Sequence, residues 1–440
     1  MTECTTDGVT FSRHGRRVVQ ALHDGGTITS DAGGLLVREA DRTLGLTERL
    51  AAALADQRQP SMIVHDQVTM LRQRIFALAL GYEDLNDHTA LRHDPVLEVM
   101  AGAALASAPT LCRLENRADR ASMWRMAEAL VDAFIESHAA PPEELVLDFD
   151  ATDVPLHGMQ EGRFFHGYYD AYCYLPLYVF CGERLLCAYL RRSNIDPARH
   201  AWAILKLLVE KLRAAWPGVR ITVRADSGFC RWRMLRWCEG RDLSYLIGVA
   251  RNSRLLDMAA PLAEQARSAF EGTAQRVFGD LAYAAYTWDR PRRVIVKAEH
   301  LPPVRAGEGK SNLRFVVTNL AGEAQELYER VYCARGDMEN RIKEQQLGLF
   351  GDRTSCHAFA ANQFRLLLSA AAFVLVEHVR RVGLRGTDLA RAQATRLRLE
   401  LFKIGARVTI SARRIVLHLA KGFPHRALFA LAAQRLMAPS

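Results

Sequence analysis

Leu145-Val146-Leu147-Asp148-Phe149-Asp150 is an apolar run that takes an acid at alternate positions near its end and continues into Ala151-Thr152. A second run, Val219-Arg220-Ile221-Thr222-Val223-Arg224-Ala225-Asp226, leads into Ser227-Gly228-Phe229. Both read as strands apolar enough for a buried sheet, each delivering an Asp at its carboxyl end. Acids placed there face the crevice in which open α/β sheets bind ligands. A third acid, Glu339, lies in the helix-like stretch Tyr332-Cys333-Ala334-Arg335-Gly336-Asp337-Met338-Glu339-Asn340-Arg341. Together the three supply hard oxygens, the donors that two Mg²⁺ (or Mn²⁺) ions require. Such an ion pair can clamp the attacking and leaving oxygens of a phosphodiester.

Each residue has a plainer reading. A lone strand-end Asp is most often a turn or cap residue. Asp148 competes with Asp150, because alternate strand residues point to the same face. Tyr332, Arg335, Glu339 and Lys343 recur at helical spacing and form one stripe. That stripe could be a solvated salt-bridge face. The functional reading puts Glu339 on metal, aims Arg335 at phosphate as a bidentate fork, and sets Tyr332 beside a DNA strand end. Asp337 points away around the helix.

The chain has 440 residues, of which 49% are hydrophobic, so it folds, and its length suits two or three domains. Its longest apolar run, Leu366 to Val376, is too short for a membrane span and reads as a buried helix. The N-terminus has no apolar signal segment, and the nine cysteines follow no pairing or zinc pattern. A cytoplasmic protein with reduced thiols and no membrane partner is expected. The net charge is +9, and Ala371 to Ser440 carries thirteen Lys and Arg against three acids, so the rest is close to neutral. A basic tail beside a phosphodiester-type site points to DNA.

Residues from about 30 to 137 read mostly as helices, with Ser30-Asp31 and Asp66 as caps. Within Leu105 to Arg120, a short helix, a turn and a second helix would set Arg113 and Arg117 on one face, resembling a DNA-reading pair. His138-Ala-Ala-Pro141-Pro142 reads as a linker. Beyond it come the strand at 145–150, a hairpin-like region at Tyr172–Phe180 and Arg184–Arg191, and a helix near Pro197–Trp216. The strand at 219–225, a helix at Arg231–Glu239 and a strand at Ser244–Val249 follow. That pattern is a mixed sheet flanked by helices. The segments between Val249 and Asn319 read as a β-rich insertion. In it, Trp288 could stack on an unpaired base or pack in the core. His157 and His166, near Asp150, read as turn histidines or as substrate contacts. Gly309-Lys310-Ser311 mimics the end of a phosphate loop, but Val304 stands where its first Gly belongs, so nucleotide binding is excluded.

Asp150-x-Thr152, Asp226-Ser-Gly-Phe229 and Tyr332-x2-Arg335-x3-Glu339 resemble the DDE transposases of bacterial insertion sequences. The resemblance is to the branch with a Tyr-Arg-Glu signature, most closely the insertion-sequence-1380 family. Ser30-Asp31-Ala32-Gly33-Gly34, Leu-x-Gln-Arg-x-Phe (Leu71 to Phe76), Leu80-Gly-Tyr-Glu-Asp84 and Phe165-His-Gly-Tyr-Tyr169 are similar to that family too. Its signature adds a Lys seven residues after the Glu, where this chain has Gln346. Because the family's first acid is followed two residues on by Thr, the resemblance selects Asp150 over Asp148.

The resemblance implies an α/β fold, a ribonuclease-H-like mixed sheet flanked by helices, with a β-rich insertion and a helical N-terminal domain. The divisions expected are 1–138 for the helical DNA-binding domain, 144–250 and 321–385 for the catalytic core, 251–320 for the insertion, and 386–440 for the basic C-terminal region. The function implied is binding of an element's terminal inverted repeats, then metal-dependent cleavage and strand transfer into target DNA. Asp150, Asp226 and Glu339 would hold the ions, and Tyr332, Arg335, Lys343, Arg113 and Arg117 would contact DNA. A homodimer or larger assembly on DNA is implied. The rival readings are a non-catalytic transposase-derived regulator and a nuclease that only hydrolyses.

Overall fold

The computed structural model describes residues 8–303 and 310–438. Alternation decides how the first acidic strand sits. Leu145, Leu147 and Phe149 are buried on one face, and Val146, Asp148 and Asp150 turn to the other. By compactness the chain divides into two units. One runs to Ser122 and includes 348–350 and the chain from Ala371 on; the other holds 123–347 and 351–370. These divisions differ from the expected boundaries at 138 and 385.

The first unit opens with a hairpin, β1 (Val9–His14) and β2 (Arg17–Ala21), and a short strand, β3 (Ile28–Thr29). Helices follow: α1 (Leu35–Leu44), α2 (Leu46–Ala53), α3 (Gln67–Leu80), α4 (His88–Leu91), α5 (Pro95–Ala101) and α6 (Ala108–Arg117). Asp66 caps α3 as expected, its carboxylate accepting from the Thr69 N–H at 2.7 Å. Asp31 makes no such cap. It is buried, pairs with Lys403 and accepts from the Tyr82 hydroxyl at 2.7 Å. Gly33 is required by close approach, since a Cβ there would sit 2.0 Å from the Leu401 carbonyl. Gln73 and Arg74 are also structural: Gln73 bonds the Ala106 backbone through both amide ends, and Arg74 pairs with buried Glu115 at 2.9 Å.

The second unit takes in most of α7 (Arg120–Glu136), whose Val131 and Phe134 join its core. Then come β4 (Glu144–Ala151), β5 (Val154–Pro155), β6 (Phe164–His166), β7 (Ala171–Tyr174), β8 (Leu177–Cys181) and β9 (Arg184–Tyr189). They are followed by α8 (Ala201–Ala215), β10 (Arg220–Ala225), α9 (Trp232–Gly240), β11 (Ser244–Val249) and α10 (Ser253–Ser268). Three long strands complete the β structure: β12 (Gln275–Tyr283), β13 (Arg292–Leu301) and β14 (Lys310–Thr318). A helical stretch at 324–348 contains α11 (Ala324–Glu326) and α12 (Gly336–Lys343), joined by a π turn and a 3₁₀ turn. The chain continues into α13 (Phe359–His378), α14 (Ala394–Leu397), a hairpin of β15 (Ala406–Ile410) and β16 (Ile415–Leu419), and α15 (Arg426–Met437). In the first unit, β3 pairs with β15.

Eight of the described strands of the second unit build a mixed sheet in the order β12-β13-β14-β11-β10-β4-β8-β9, and β5, β7 and β6 form a small separate sheet. Strands β4, β10 and β11 are parallel, and the other pairings are antiparallel. One face packs on apolar residues of α7 to α10, such as Leu205, Leu212, Leu235 and Leu255. The other receives Ala324, Leu327 and Tyr328 over Leu246, Ile295 and Val316. The fold is therefore mixed α/β, a large sheet flanked by helices. The stretch expected as a β-rich insertion opens with α10, a helix the sequence reading missed, and its strands extend the main sheet. Val304 and Gly309 of the excluded phosphate-loop pattern lie outside the described residues.

The helix Phe359–Gly383, a π turn included, contains the apolar run Leu366 to Val376 and is apolar enough to cross a membrane by length and composition. Its most apolar window is 83% buried within the protein, the pattern of a core helix.

Candidate active site

Parallel pairing of β4 with β10 brings the two strand-end acids side by side. The last paired rung is Phe149 with Ala225, and Asp150 and Asp226 follow those residues. One rung earlier Asp148 lies opposite Arg224. The Arg224 fork donates to both Asp148 oxygens, each at 2.7 Å, and a third N–H reaches the Val331 carbonyl at 2.6 Å. Asp148 is 2% exposed, and with both oxygens engaged it is committed to holding the strands together. Asp150 has no such partner on the sheet.

The 324–348 stretch supplies the other site residues. Arg335 lies between two of the acids, 3.4 Å from Asp150 Oδ2 and 3.3 Å from Glu339 Oε1. Its side chain is only 15% exposed, and beyond the Asp150 ion pair its buried Nη1 makes no hydrogen bond among the described residues. Asp226 accepts from the Gly228 N–H at 2.9 Å, capping the turn Ser227–Phe229. Burial holds the Asp150 carboxyl up, at about 6; Arg335 opposes the rise, and the charges of Asp226 and Glu339 add to it. For Arg335, burial alone would favour the neutral form, but Asp150, Tyr332, Asp226 and Glu339 outweigh it and raise its pKa. The three acids thus share one electrostatic neighbourhood, centred on a guanidinium. Among the described residues no group of three or more His, Cys, Asp or Glu stands positioned to hold a metal ion. Arg335 fills the space between Asp150 and Glu339.

Tyr332 is half-buried near the same cluster, its hydroxyl pKa raised by burial and by Asp226 and lowered by Arg335. The expected regular stripe is broken, because a π turn at Leu327–Tyr332 and a 3₁₀ turn at Cys333–Arg335 precede α12. Arg335 and Glu339 still meet as i, i+4 neighbours. Lys343 is exposed at the end of α12. Gln346, where the resemblance has Lys, is buried and donates to the Asp153 carbonyl at 3.3 Å.

Other expected contacts lie elsewhere. Arg113 and Arg117 are both on α6, in the other unit, and the expected turn between Leu111 and Arg113 is absent. Arg113 is exposed, whereas Arg117 is partly buried and 3.7 Å from Asp56. Trp288 packs against the core with Tyr283 on one side and the Arg292 guanidinium over its ring. His166 has a buried Nδ1 without a hydrogen-bond partner among the described residues, and its ring lies tilted at 47°, 4.9 Å from that of Tyr169, whose hydroxyl is pushed up to about 12, chiefly by burial.

A profile of the family described as "Transposase DDE domain group 1" matches residues 11–439. The chain belongs to that family. Among curated proteins none matches this transposase. A piggyBac transposase, solved by cryo-EM as a synaptic complex with hairpin DNA, is similar over 94% of this chain and 83% of its own. Identity there is 11% and the TM-score 0.42, a likeness that adds nothing to the family assignment.

Sequence reading of the transposase missed Gly248 on β11. A Cβ at that position would lie 2.8 Å from the Ser227 backbone nitrogen, 2.8 Å from the Tyr332 hydroxyl and 3.2 Å from the Asp226 carbonyl carbon. A bare backbone there lets the Asp226 turn and Tyr332 close in. Gly248→Ala is expected to cost roughly 1–3 kcal/mol through overpacking. Thermal melting of the purified variant checks this, and an unchanged midpoint would mean that the Asp226 turn and Tyr332 yield freely.

Proposed function

We propose that this transposase binds the terminal inverted repeats of an insertion sequence, cuts the element ends and joins them to target DNA. The reading rests on one observation above all. Asp150 and Asp226 end neighbouring parallel strands, with Glu339 tied to the same cluster through Arg335. The strand order β9-β8-β4-β10-β11, with β8 antiparallel to β4, supports a ribonuclease-H-like core. The Tyr-Arg-Glu spacing supports the insertion-sequence-1380 branch.

By donor chemistry the set suits two Mg²⁺ or Mn²⁺ ions, three carboxylates offering hard oxygens only, once Arg335 withdraws from between Asp150 and Glu339; burial first, and then the charges of Asp226 and Glu339, raise Asp150. Asp150, Asp226 and Glu339 would hold them, and when bound they supply oxygen activation and charge neutralisation in phosphodiester cutting. The chain's own residues do the rest. Arg335 neutralises the carboxylates before substrate arrives, and its fork suits a phosphate once released from them. Tyr332 offers a ring and a hydroxyl beside the strand end. Asp148 and Arg224 hold β4, β10 and Val331 in register. Lys343, Arg113, Arg117 and the basic C-terminal region add phosphate contacts, and the helical N-terminal region reads the ends. We place the protein in the cytoplasm, as a dimer or larger assembly on DNA and without a membrane partner.

The test is a strand-transfer assay with labelled duplexes from the inverted repeats flanking the gene. Joined products are expected. Hydrolysis without joining would make the protein a nuclease, and binding without cutting a regulator. Arg335→Lys keeps the charge and loses the planar fork. It should lower cutting about a hundredfold, as loss of a transition-state donor does, at an unchanged melting temperature. Near-normal cutting would reduce Arg335 to a structural partner of Asp150 and Glu339.

A further inference from the structure

The hairpin of β1 and β2 is the part of the described chain least explained by packing. Every residue from Gly8 to Ile28 is exposed, Phe11 at 56% and Val9 at 55%. An isolated two-stranded hairpin is at best marginally stable in water. Its pairing register sorts the side chains. Val9 lies opposite Ala21 and Phe11 opposite Val19, so these four share one apolar face. The turn and the strand ends beside it carry Arg13, His14, Gly15, Arg16 and Arg17, with Gly15 at φ 61°. No acid occurs between Gly8 and His23. Arg13, Arg16 and Arg17 have no ion-pair partner among the described residues.

We propose that this hairpin is a DNA-binding arm, a two-stranded ribbon whose arginine tip grips the phosphates of duplex DNA and whose apolar face lies along the groove. The proposal rests on the transposase reading only in supplying DNA as the partner. A two-stranded ribbon has the width that the major groove admits. Three cations without an acidic neighbour match a phosphate backbone. A second copy of the chain fits less well. It would bring like-charged tips together, and four modest apolar side chains fall far short of the roughly 800 Å² per partner of a stable protein interface. The ribbon also explains its own exposure, because its partner is outside the polypeptide.

The test uses the full chain, a fluorescein-labelled mixed-sequence duplex, and the triple variant Arg13→Gln, Arg16→Gln, Arg17→Gln. Dissociation constants are measured across a salt series. Each lost phosphate contact lowers the slope of log affinity against log salt by about 0.9. The variant's slope should therefore be shallower by about 2–3, with an unchanged melting temperature. A slope equal to wild type overturns the arm. So does a changed mass in light scattering at an unchanged slope, which would assign the ribbon to a second copy. Wild-type protein that shows no salt-dependent binding overturns the DNA reading itself, an outcome distinct from failure of the variant alone.

Discussion

Asp150→Asn is expected to abolish end cutting, by at least about a thousandfold, roughly 4 kcal/mol of transition-state stabilisation. Asp226→Asn and Glu339→Gln should do the same. Each change removes one negative oxygen donor from a cluster whose charge is otherwise met by Arg335. None should cost stability, and for Asp150 the sign is the opposite. Its folded pKa stands at about 6 against an ordinary value of 3.8, with burial the first cause. Below pH 3.8 both folded and unfolded forms are protonated, and nothing is lost. As pH rises toward 6 the unfolded chain ionises first, so the folded state loses ground. Above about 6 the penalty is complete, on the order of 2–3 kcal/mol. In chelator, Asp150→Asn should therefore melt higher than wild type at pH 7–8 and no higher near pH 4. An inactive variant that melts lower at every pH would mean that Asp150 is a structural residue.

Much of the second unit's sheet was legible because strand burial writes a simple pattern. Leu145, Leu147 and Phe149 alternate with Val146, Asp148 and Asp150, and Ser244–Val249 was found to the residue. Pairing partners were not legible. That β12, β13 and β14 extend the main sheet beyond β11 depends on contacts far apart in sequence, which local pattern does not encode. The helix α10 escaped because Pro261 lies inside it and its polar residues read as loop. The β1–β2 hairpin escaped because its strands are short, of six and five residues, and its apolar face of Val9, Phe11, Val19 and Ala21 is interleaved with polar and basic residues.

The placement of the candidate acids on strand ends and a helix was legible, and their pairing with Arg335 was not. Arg335 was read toward phosphate, and the structure pairs it with Asp150 and Glu339, a choice that depends on where the π and 3₁₀ turns rotate the helix. A stripe drawn at constant helical spacing cannot anticipate that rotation. Gly248 left no signal at all, since its role is the space it leaves free beside Ser227 and Tyr332.

Asp148→Leu and Arg224→Met, each made alone, are expected to cost roughly 3–5 kcal/mol, because either change strands a buried charge. Both oxygens of Asp148 accept from Arg224, and the two residues are 2% and 8% exposed. The double variant should recover much of that loss, since removing both charges leaves nothing unpaired. Its stability and its activity should then part company. Arg224 also donates to the Val331 carbonyl at 2.6 Å, one residue before Tyr332 and four before Arg335. That contact fastens the helix bearing Arg335 and Glu339 to the strand that ends in Asp226, and Met cannot replace it. Chemical denaturation and end cutting, measured on the two single variants and the double, form the cycle that separates the terms. The double variant should fold with near wild-type cooperativity and still cut at least about tenfold more slowly, because catalysis depends on geometry far more steeply than folding does. Full recovery of cutting would show that Asp148 and Arg224 only neutralise each other and that the site is aligned by other contacts.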